Sequence, residues 1–298
     1  MAIDIPSELT TPRKRTVDTR GMPAGDNHDP SNIIRHNGEF HCWYTEHYTD
    51  TYDAFVDTRL RLMTSADGVA WRDRGVALAP GNEVESPWDA QGVLTAYAVP
   101  HDGRFHLFYS AVPAGFESAR GGERPVSIAL AVADDPMGPW QRRGPVFEAS
   151  EDGWDRVHVD DANLIFFEGL WWLYYKGAAP GDSPKDTRIG VATSENLAGP
   201  YERHSANPLC PGHALSAWKH RDGVAMVGGA SAEPVVFWSE DGVQFVPTGG
   251  AFPNQSTGFY CPANFEPGPN MAGVDWGVDT TPSRPRALFR FDCDLRSC

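Results

Sequence analysis

Two aspartates and a histidine have the clearest chemical potential in this chain. Asp29 lies in DNHDPSN, Asp161 in HVDDAN and His213 in CPGHAL. Cleavage of a glycosidic bond needs a carboxylate that activates water, an acid that protonates the leaving oxygen, and a group that tunes the acid. A histidine serves as the acid only when protonated, and we expect the nearby carboxylate of Asp161 to raise its pKa. The three residues are far apart in sequence, so the fold must bring them together.

A repeated nonapeptide supplies the elements that would position these residues. Three clear copies start 65 and 66 residues apart, and a fainter fourth starts 54 residues later. They are HNGEFHCWY (36–44), HDGRFHLFY (101–109), FEGLWWLYY (167–175) and RDGVAMVGG (221–229). The glycine at the third position of each copy predicts two strands joined by a tight turn with glycine at positive φ. A second hairpin pattern follows each copy, so one unit contains about four short strands.

A four-stranded unit that repeats every 50 to 70 residues, roughly, is typical of a β-propeller. Four units are visible, and the tail VDWGVDTTPSRPRALFRFDCDL has the strand character of a fifth. We therefore predict an all-β, five-bladed β-propeller over residues 26–298, preceded by an N-terminal extension over 1–25. N-terminal residues are candidates to close the fifth blade, because closure protects exposed sheet edges. The alternative is a β-sandwich with fortuitous internal similarity, which the regular spacing disfavours.

Equivalent positions in the innermost strands of a propeller converge on one axis. Counting back from the repeat glycines, Asp29 is nine residues before Gly38, Thr95 eight before Gly103, Asp161 eight before Gly169, and His213 ten before Gly223. Taken alone, each polar residue is more often structural, because Asp before Pro and His beside Gly are common in turns. Their shared blade position favours Asp29, Asp161 and His213 as a catalytic set.

Six further residues are candidates for binding a substrate near the same entrance. Tryptophan faces can stack on sugar rings, although most tryptophans in such strands are expected to pack between blades. The candidates are His28, Trp88, Thr95, Asp160, Lys176 and Trp218. The structural alternative is capping of strand-end amides for Asp160 and inter-blade packing for the tryptophans.

The composition narrows the range of partners. The 298 residues include 25 Lys and Arg against 40 Asp and Glu, a net charge of −15, which disfavours nucleic acid and anionic membranes. No apolar stretch approaches the roughly 20 residues of a membrane span, and the N-terminus lacks a signal-peptide core, so we expect a cytoplasmic protein.

The five cysteines form no C-x-x-C pair, so no metal site is predicted. No cofactor is required, and a structural cation in the axial channel is compatible with the fold but not indicated.

Three segments resemble glycoside hydrolase family 117, whose members are 3,6-anhydro-α-L-galactosidases that release the terminal sugar from neoagaro-oligosaccharides. The segments are DNHDPSNIIRHNGEFHCWYTEH, HVDDANLIFFEGLWWLYYKG and GPYERHSANPLCPGHALSAW. The resemblance runs over residues 26–245 and extends more distantly to families 43 and 32, which share the five-bladed scaffold. It implies an inverting mechanism with Asp29 as general base, His213 as general acid and Asp161 as the tuning carboxylate. A small carbohydrate is the expected partner, and the sequence is compatible with either a monomer or a homodimer.

Two departures from the family pattern bear on the substrate. The family histidine is typically followed by Glu, whereas Ala214 stands here, and a typical Thr-Pro-Glu in the second blade is replaced by Thr95-Ala96-Tyr97. Sugar pockets discriminate through buried hydrogen bonds, so we expect an exo-acting hydrolase for a different small oligosaccharide or glycoside. Two alternatives remain open. One is a family-43-like arabinofuranosidase or xylosidase, which needs a glutamate acid such as Glu85 or Glu233, and the other is a non-catalytic carbohydrate-binding propeller.

Overall fold

Five antiparallel sheets surround one axis. The computed structural model describes residues 3–47, 55–117, 124–183, 185–229, 234–253, 258–265 and 273–296, and its strands in these ranges form five sheets of four or five strands. The predicted all-β, five-bladed propeller is therefore confirmed, including the fifth blade formed by the tail. Within the same ranges, no helix has the length and apolar character to cross a membrane.

Each blade runs from an inner strand at the axis to an outer strand at the rim. The first strand of the chain, β1 (Lys14–Thr16), belongs to the last blade. Blade 1 contains β2 (Asn27–His28), β3 (Ile34–His36), β4 (Glu39–Glu46), β5 (Arg59–Ser65) and β6 (Arg72–Leu78). Blade 2 contains β7 (Gly92–His101), β8 (Arg104–Val112), β9 (Ser127–Ala133) and β10 (Gln141–Phe147).

The remaining blades follow the same order. Blade 3 contains β11 (His158–Phe167), β12 (Leu170–Ala178), β13 (Arg188–Ser194), β14 (Glu202–Arg203) and β15 (Cys210–Pro211). Blade 4 contains β16 (Ala214–His220), β17 (Gly223–Gly229), β18 (Val235–Ser239) and β19 (Val246–Ala251). Blade 5 contains β20 (Gly258–Phe259), β21 (Val274–Thr280) and β22 (Leu288–Leu295), with β1 outside them. Short 3₁₀ helices lie at Ser7–Leu9 and Pro262–Phe265.

The nonapeptides form the hairpins between the first two long strands of each blade. Gly38, Gly103 and Gly169 have φ values of 85°, 72° and 81°, as predicted, because a two-residue turn that matches the strand twist needs left-handed residues. In the fourth copy His220 pairs with Gly223. The turn there lies one residue earlier than the glycine pattern indicated.

The N-terminal residues are built into the propeller. β1 pairs with β22 through Lys14↔Cys293, Arg15↔Asp292 and Thr16↔Phe291, and so forms the rim strand of blade 5. Leu9 is fully buried in the core shared with blade 4. This pairing is the closure that the sequence suggested, because the N-terminal strand covers a sheet edge of blade 5 that would otherwise stay open.

Two matching clusters fasten the connections that lead into blades 2 and 3. Asp89 accepts hydrogen bonds from the Tyr109 hydroxyl at 2.8 Å and from Arg142 Nε at 2.7 Å. One blade later, Asp155 accepts from the Tyr175 hydroxyl at 3.1 Å and from Arg203 Nε at 2.8 Å. Both carboxylates are almost fully buried, so the pairing offsets the cost of desolvating them. A tryptophan precedes each aspartate in the sequence, as Trp88 and Trp154.

Candidate active site

Three inner strands carry the same local backbone at the axis. Asp29, Thr95 and Asp161 have φ values of 47°, 45° and 54°, all in the left-handed region. The pairing of β7 with β8 and of β11 with β12 is interrupted at Thr95 and Asp161, respectively. A left-handed non-glycine residue in a bulge is strained and re-aims its side chain, and such residues cluster at functional sites. The positions counted from the repeat are thus structurally equivalent in blades 1, 2 and 3.

Blade 4 has no such bulge. The pairing of β16 with β17 is continuous from Ala214↔Gly229 to His220↔Gly223, so the position equivalent to Asp29 does not exist there. His213 lies just before β16 and reaches the site from the connection that follows β15. The spacing had placed His213 on the inner strand of blade 4, and this placement is corrected. His213 is nevertheless close enough to Lys176 and Asp29 for their charges to shift its pKa.

The bulges are held from the preceding blade. The Thr95 amide donates to Thr45 Oγ1 at 3.0 Å, and the Asp161 amide donates to Ser110 Oγ at 3.4 Å. Thr45 and Ser110 are equivalent, since each faces the residue that precedes a bulge on the paired strand. The residue at this position in blade 3 is Lys176, opposite Asp160. The position that carries a hydroxyl side chain in blades 1 and 2 therefore carries the cationic side chain of Lys176 in blade 3.

Lys176 lies between two carboxylates. Its Nζ is 2.7 Å from Asp161 Oδ2 and 3.3 Å from Asp160 Oδ2, and all three side chains are mostly buried. Burial raises the pKa values of both aspartates, while the charge of Lys176 opposes the rise. Asp29 adds its negative charge to the same cluster. Because one ammonium cannot balance three carboxylates, the cluster favours retention of a proton.

Asp29 is oriented by His28. The Nδ1 atom of His28 is hydrogen-bonded to Asp29 Oδ2, and the ring of His28 stacks on His47 with centroids 4.2 Å apart. His28 is only 2% exposed, whereas the Asp29 side chain is 23% exposed. Asp29 is thus the most accessible of the three carboxylates, and the buried ring of His28 lies behind it.

The pKa of His213 moves opposite to expectation. The positive charge of Lys176 and then burial lower it to about 3, while Asp29 opposes the change. The prediction that Asp161 would raise this pKa is wrong, because Lys176 neutralises Asp161 and presents its own charge to the imidazole. His213 is therefore neutral at rest around pH 7.

The sequence reasoning missed several residues of the site. Arg286, in the loop between β21 and β22, places its charge near His213, and no repeat copy marks this loop. His158, at the start of β11, has its pKa lowered to about 3 by burial and by Lys176. Asn32 and Asn163 each bond the backbone of the next blade, Asn32 through Ala98. Each of these asparagines is six residues before a repeat glycine, a signal that the repeat alignment contained.

Two predicted tryptophan platforms lie elsewhere. Trp218 is fully buried against Phe259, with ring centroids 5.2 Å apart, so it is a core residue without a face for a sugar. Trp88 packs against the core shared by blades 1 and 2, beside the cluster of Asp89. Of the two alternative glutamates, Glu85 is exposed and bonded to Asn82, and Glu233 lies outside the described residues. Within those residues, no group of three or more His, Cys, Asp or Glu could hold a metal ion.

Comparison with known proteins identifies the family. The model of glycosyl hydrolases family 43 matches residues 22–189. The chain belongs to glycosyl hydrolase family 43. Among solved structures, a family 117 glycoside hydrolase from Zobellia galactanivorans has a TM-score of 0.83 at 24% identity, covering 97% of this chain and 92% of that chain. A thermostable family 43 glycoside hydrolase has a TM-score of 0.65 at 15% identity, covering 95% and 97%. These two likenesses concern the fold.

Curated relatives of this family 43 protein match about half of it. A probable sucrose-6-phosphate hydrolase from Vibrio cholerae is 29% identical over 158 residues, which are 51% of this chain and 26% of the relative. Another, from Psychromonas ingrahamii, is 32% identical over 180 residues, 59% and 30% of the two chains. The match thus spans between a quarter and a third of these relatives. The predicted glycoside hydrolase class is confirmed at the level of the family, and the predicted relation to the family 117 propeller at the level of the fold.

Proposed function

We propose that this family 43 protein is an inverting, exo-acting hydrolase of a small oligosaccharide or glycoside. The observation that carries the proposal is the equivalence of Asp29 and Asp161. They occupy the same left-handed position in blades 1 and 3, and Asp29 lies close enough to Asp161, Lys176 and His213 to act on the pKa of each. A binding module has no need to bury opposing charges in this way, because unpaired carboxylates cost stability.

Asp29 is the general base in this proposal. Its carboxylate is accessible and is fixed by His28, so it can take a proton from the water molecule that attacks the anomeric carbon. As the bond from water forms, the bond to the leaving oxygen breaks on the opposite face of the sugar, which inverts the configuration.

His213 is the proposed general acid, and Asp161 is the tuning carboxylate. The imidazolium form of His213 passes a proton to the leaving oxygen and becomes neutral. Lys176, together with burial, makes this form scarce at neutral pH but strongly acidic, because the two lower the pKa of His213 to about 3. Asp161 limits that effect by pairing with Lys176 at 2.7 Å. The proposal therefore implies an acidic optimum.

The relatives suggest which substrates to try first. The curated matches include probable sucrose-6-phosphate hydrolases, a raffinose invertase and a 1,2-β-oligomannan phosphorylase, and one structural neighbour is described as a fructan 1-exohydrolase. A suitable panel contains β-fructofuranosides with and without a 6-phosphate, neoagaro-oligosaccharides, and aryl arabinofuranosides and xylosides. Proton NMR of the first product identifies its anomeric configuration.

The test compares the wild type with Asp29→Asn and His213→Ala, with Asp102→Asn as the matched control. Asp102 is an exposed aspartate at a repeat turn, where asparagine also accepts positive φ. We expect a loss of about 10²- to 10⁴-fold in kcat for Asp29→Asn on a substrate that the wild type hydrolyses, and no loss for the control. Sugar binding without turnover in the wild type would refute hydrolysis, and retained anomeric configuration would refute inversion.

A further inference from the structure

We propose that Thr187 is the positioning residue of the acid, holding His213 by its Nδ1 atom so that Nε2 exchanges the proton with the substrate. The inference rests on the proposed function, because it explains how the assigned acid is oriented. Thr187 precedes β13 and is almost fully buried. It belongs to blade 3, which explains how a residue outside the inner strand of blade 4 is held at the axis.

The connection before His213 is fastened to blade 3 by a short ladder. β15 pairs with β13 through Arg188↔Pro211 and Ile189↔Cys210. The ladder continues with the Gly212 amide, which donates to the Thr187 carbonyl at 3.0 Å. The backbone on the N-terminal side of His213 is therefore fixed to blade 3, and the last main-chain hydrogen bond of this ladder goes to Thr187 itself.

The hydroxyl of Thr187 determines which imidazole nitrogen carries hydrogen. It donates its single hydrogen to the Gly212 carbonyl at 2.7 Å, and a carbonyl can only accept. Its oxygen is 3.3 Å from His213 Nδ1, and with the hydroxyl hydrogen used it can only accept there. Nδ1 must therefore carry a hydrogen in the neutral ring as well as in the imidazolium. The exchangeable proton is then the one on Nε2.

Ionisable groups from four elements surround this imidazole. Lys176 on β12 and Arg286 in the blade 5 loop lower the pKa of His213, and Asp29 in blade 1 raises it. His158 on β11 is also close enough to interact with His213. An acceptor at Nδ1 favours the imidazolium more than the neutral ring, because charge-assisted hydrogen bonds are stronger. Thr187 thus stabilises the protonated form of His213, which the charges of Lys176 and Arg286 destabilise.

The kinetic test uses Thr187→Val, which keeps the shape of the side chain but removes the acceptor. Thr187→Ser restores the hydroxyl, and Thr193→Val, on the strand β13 that follows Thr187, is the control. The substrates are two glycosides of the sugar that the wild type releases, one with a dinitrophenol and one with an alcohol as leaving group. A good leaving group needs no acid. We expect Thr187→Val to lose about 10- to 100-fold in kcat/KM on the alcohol glycoside and less than about 3-fold on the dinitrophenyl glycoside.

The conservative variants and the pH profile complete the kinetic test. Thr187→Ser and Thr193→Val should stay within about 3-fold of the wild type on both substrates. The descending limb of the kcat/KM profile should move to lower pH in Thr187→Val. Equal losses on both glycosides, or failure of Thr187→Ser to restore the rate, would overturn the inference in favour of a purely structural role.

A second measurement does not require activity. Long-range proton–nitrogen NMR of ¹⁵N-histidine-labelled protein distinguishes the two neutral tautomers, and His213→Gln assigns the signal. We expect the Nδ1–H tautomer in the wild type and a change of tautomer in Thr187→Val. An Nε2–H tautomer in the wild type would overturn the inference. If the tautomer is as expected and no glycoside is hydrolysed, the proposed function fails while the hydrogen-bond assignment stands.

Discussion

Lys176→Met removes the cation on which the buried cluster depends. Its Nζ lies 2.7 Å from Asp161 and 3.3 Å from Asp160, and methionine fills a similar volume, so the change is mainly electrostatic. Removing one partner of a buried ion pair costs about 3–5 kcal/mol, because the remaining charges stay buried and unpaired. We expect a loss of this size in the free energy of unfolding at about pH 8.

The loss should shrink as the pH falls. Burial raises the pKa values of Asp160 and Asp161 even with Lys176 present, and the variant lacks the cation that opposes the rise. Groups whose pKa is raised by folding bind protons in the folded state first, so they stabilise it at low pH and cease to do so as the pH rises through the folded-state value. In the variant this window is wider, and we expect the loss at about pH 5 to be less than half of that at about pH 8.

Urea unfolding followed by tryptophan fluorescence at both pH values measures this difference. Lys185→Met is the matched control, because Lys185 is an exposed lysine in the same blade, and it should change stability by less than about 0.5 kcal/mol. A loss for Lys176→Met that is independent of pH, or larger at pH 5, would refute the argument. It would mean that the carboxylates do not depend on the ammonium.

Three further predictions concern the blade junctions and the acid. Asn32→Ala removes two 2.8 Å hydrogen bonds to the backbone of Ala98 and should lower the free energy of unfolding by about 1–3 kcal/mol, since buried groups lose their partner; an unchanged urea midpoint would contradict this. Asp155→Asn weakens the charge-assisted bond from Arg203 and should cost about 1.5–3 kcal/mol in the same assay, whereas a neutral result would show that the cluster adds no stability. Because Lys176 lowers the pKa of His213, kcat/KM of the wild type should fall steadily as the pH rises from about 4 to 7; a flat profile would exclude His213 as the acid.

The architecture of the blades was predictable from local sequence. The nonapeptides contain a glycine where the hairpin turn needs positive φ, and they place apolar residues where strands pack between blades. Both properties depend only on residues that are close together in the chain, so they can be recognised in one sequence without knowledge of the fold. The equivalence of Asp29, Thr95 and Asp161 followed from the same spacing, and the shared left-handed backbone at these positions agrees with it.

The features that could not be predicted from the sequence are those that depend on residues far apart in the chain. Trp88 and Trp218 have the composition of sugar platforms, but their burial is set by other blades and cannot be inferred from their own segments. The register with which the N-terminal segment pairs with β22 could not be inferred either, because this pairing joins residues at opposite ends of the chain. In blade 4 the absent bulge was hidden, since bulges arise from pairing rather than from composition.

The sequence by itself determined the five-bladed scaffold, the inner position of Asp29 and Asp161, and the chemical class that two carboxylates and a histidine suggest. Only the tertiary structure decided how those groups are charged. Lys176 comes from the second strand of blade 3, Asp29 from the first blade, and Thr187 from a third segment, and together they determine the protonation and orientation of His213. A pKa reflects burial and the distances to all surrounding charges, and these distances exist only after the blades have closed around the axis.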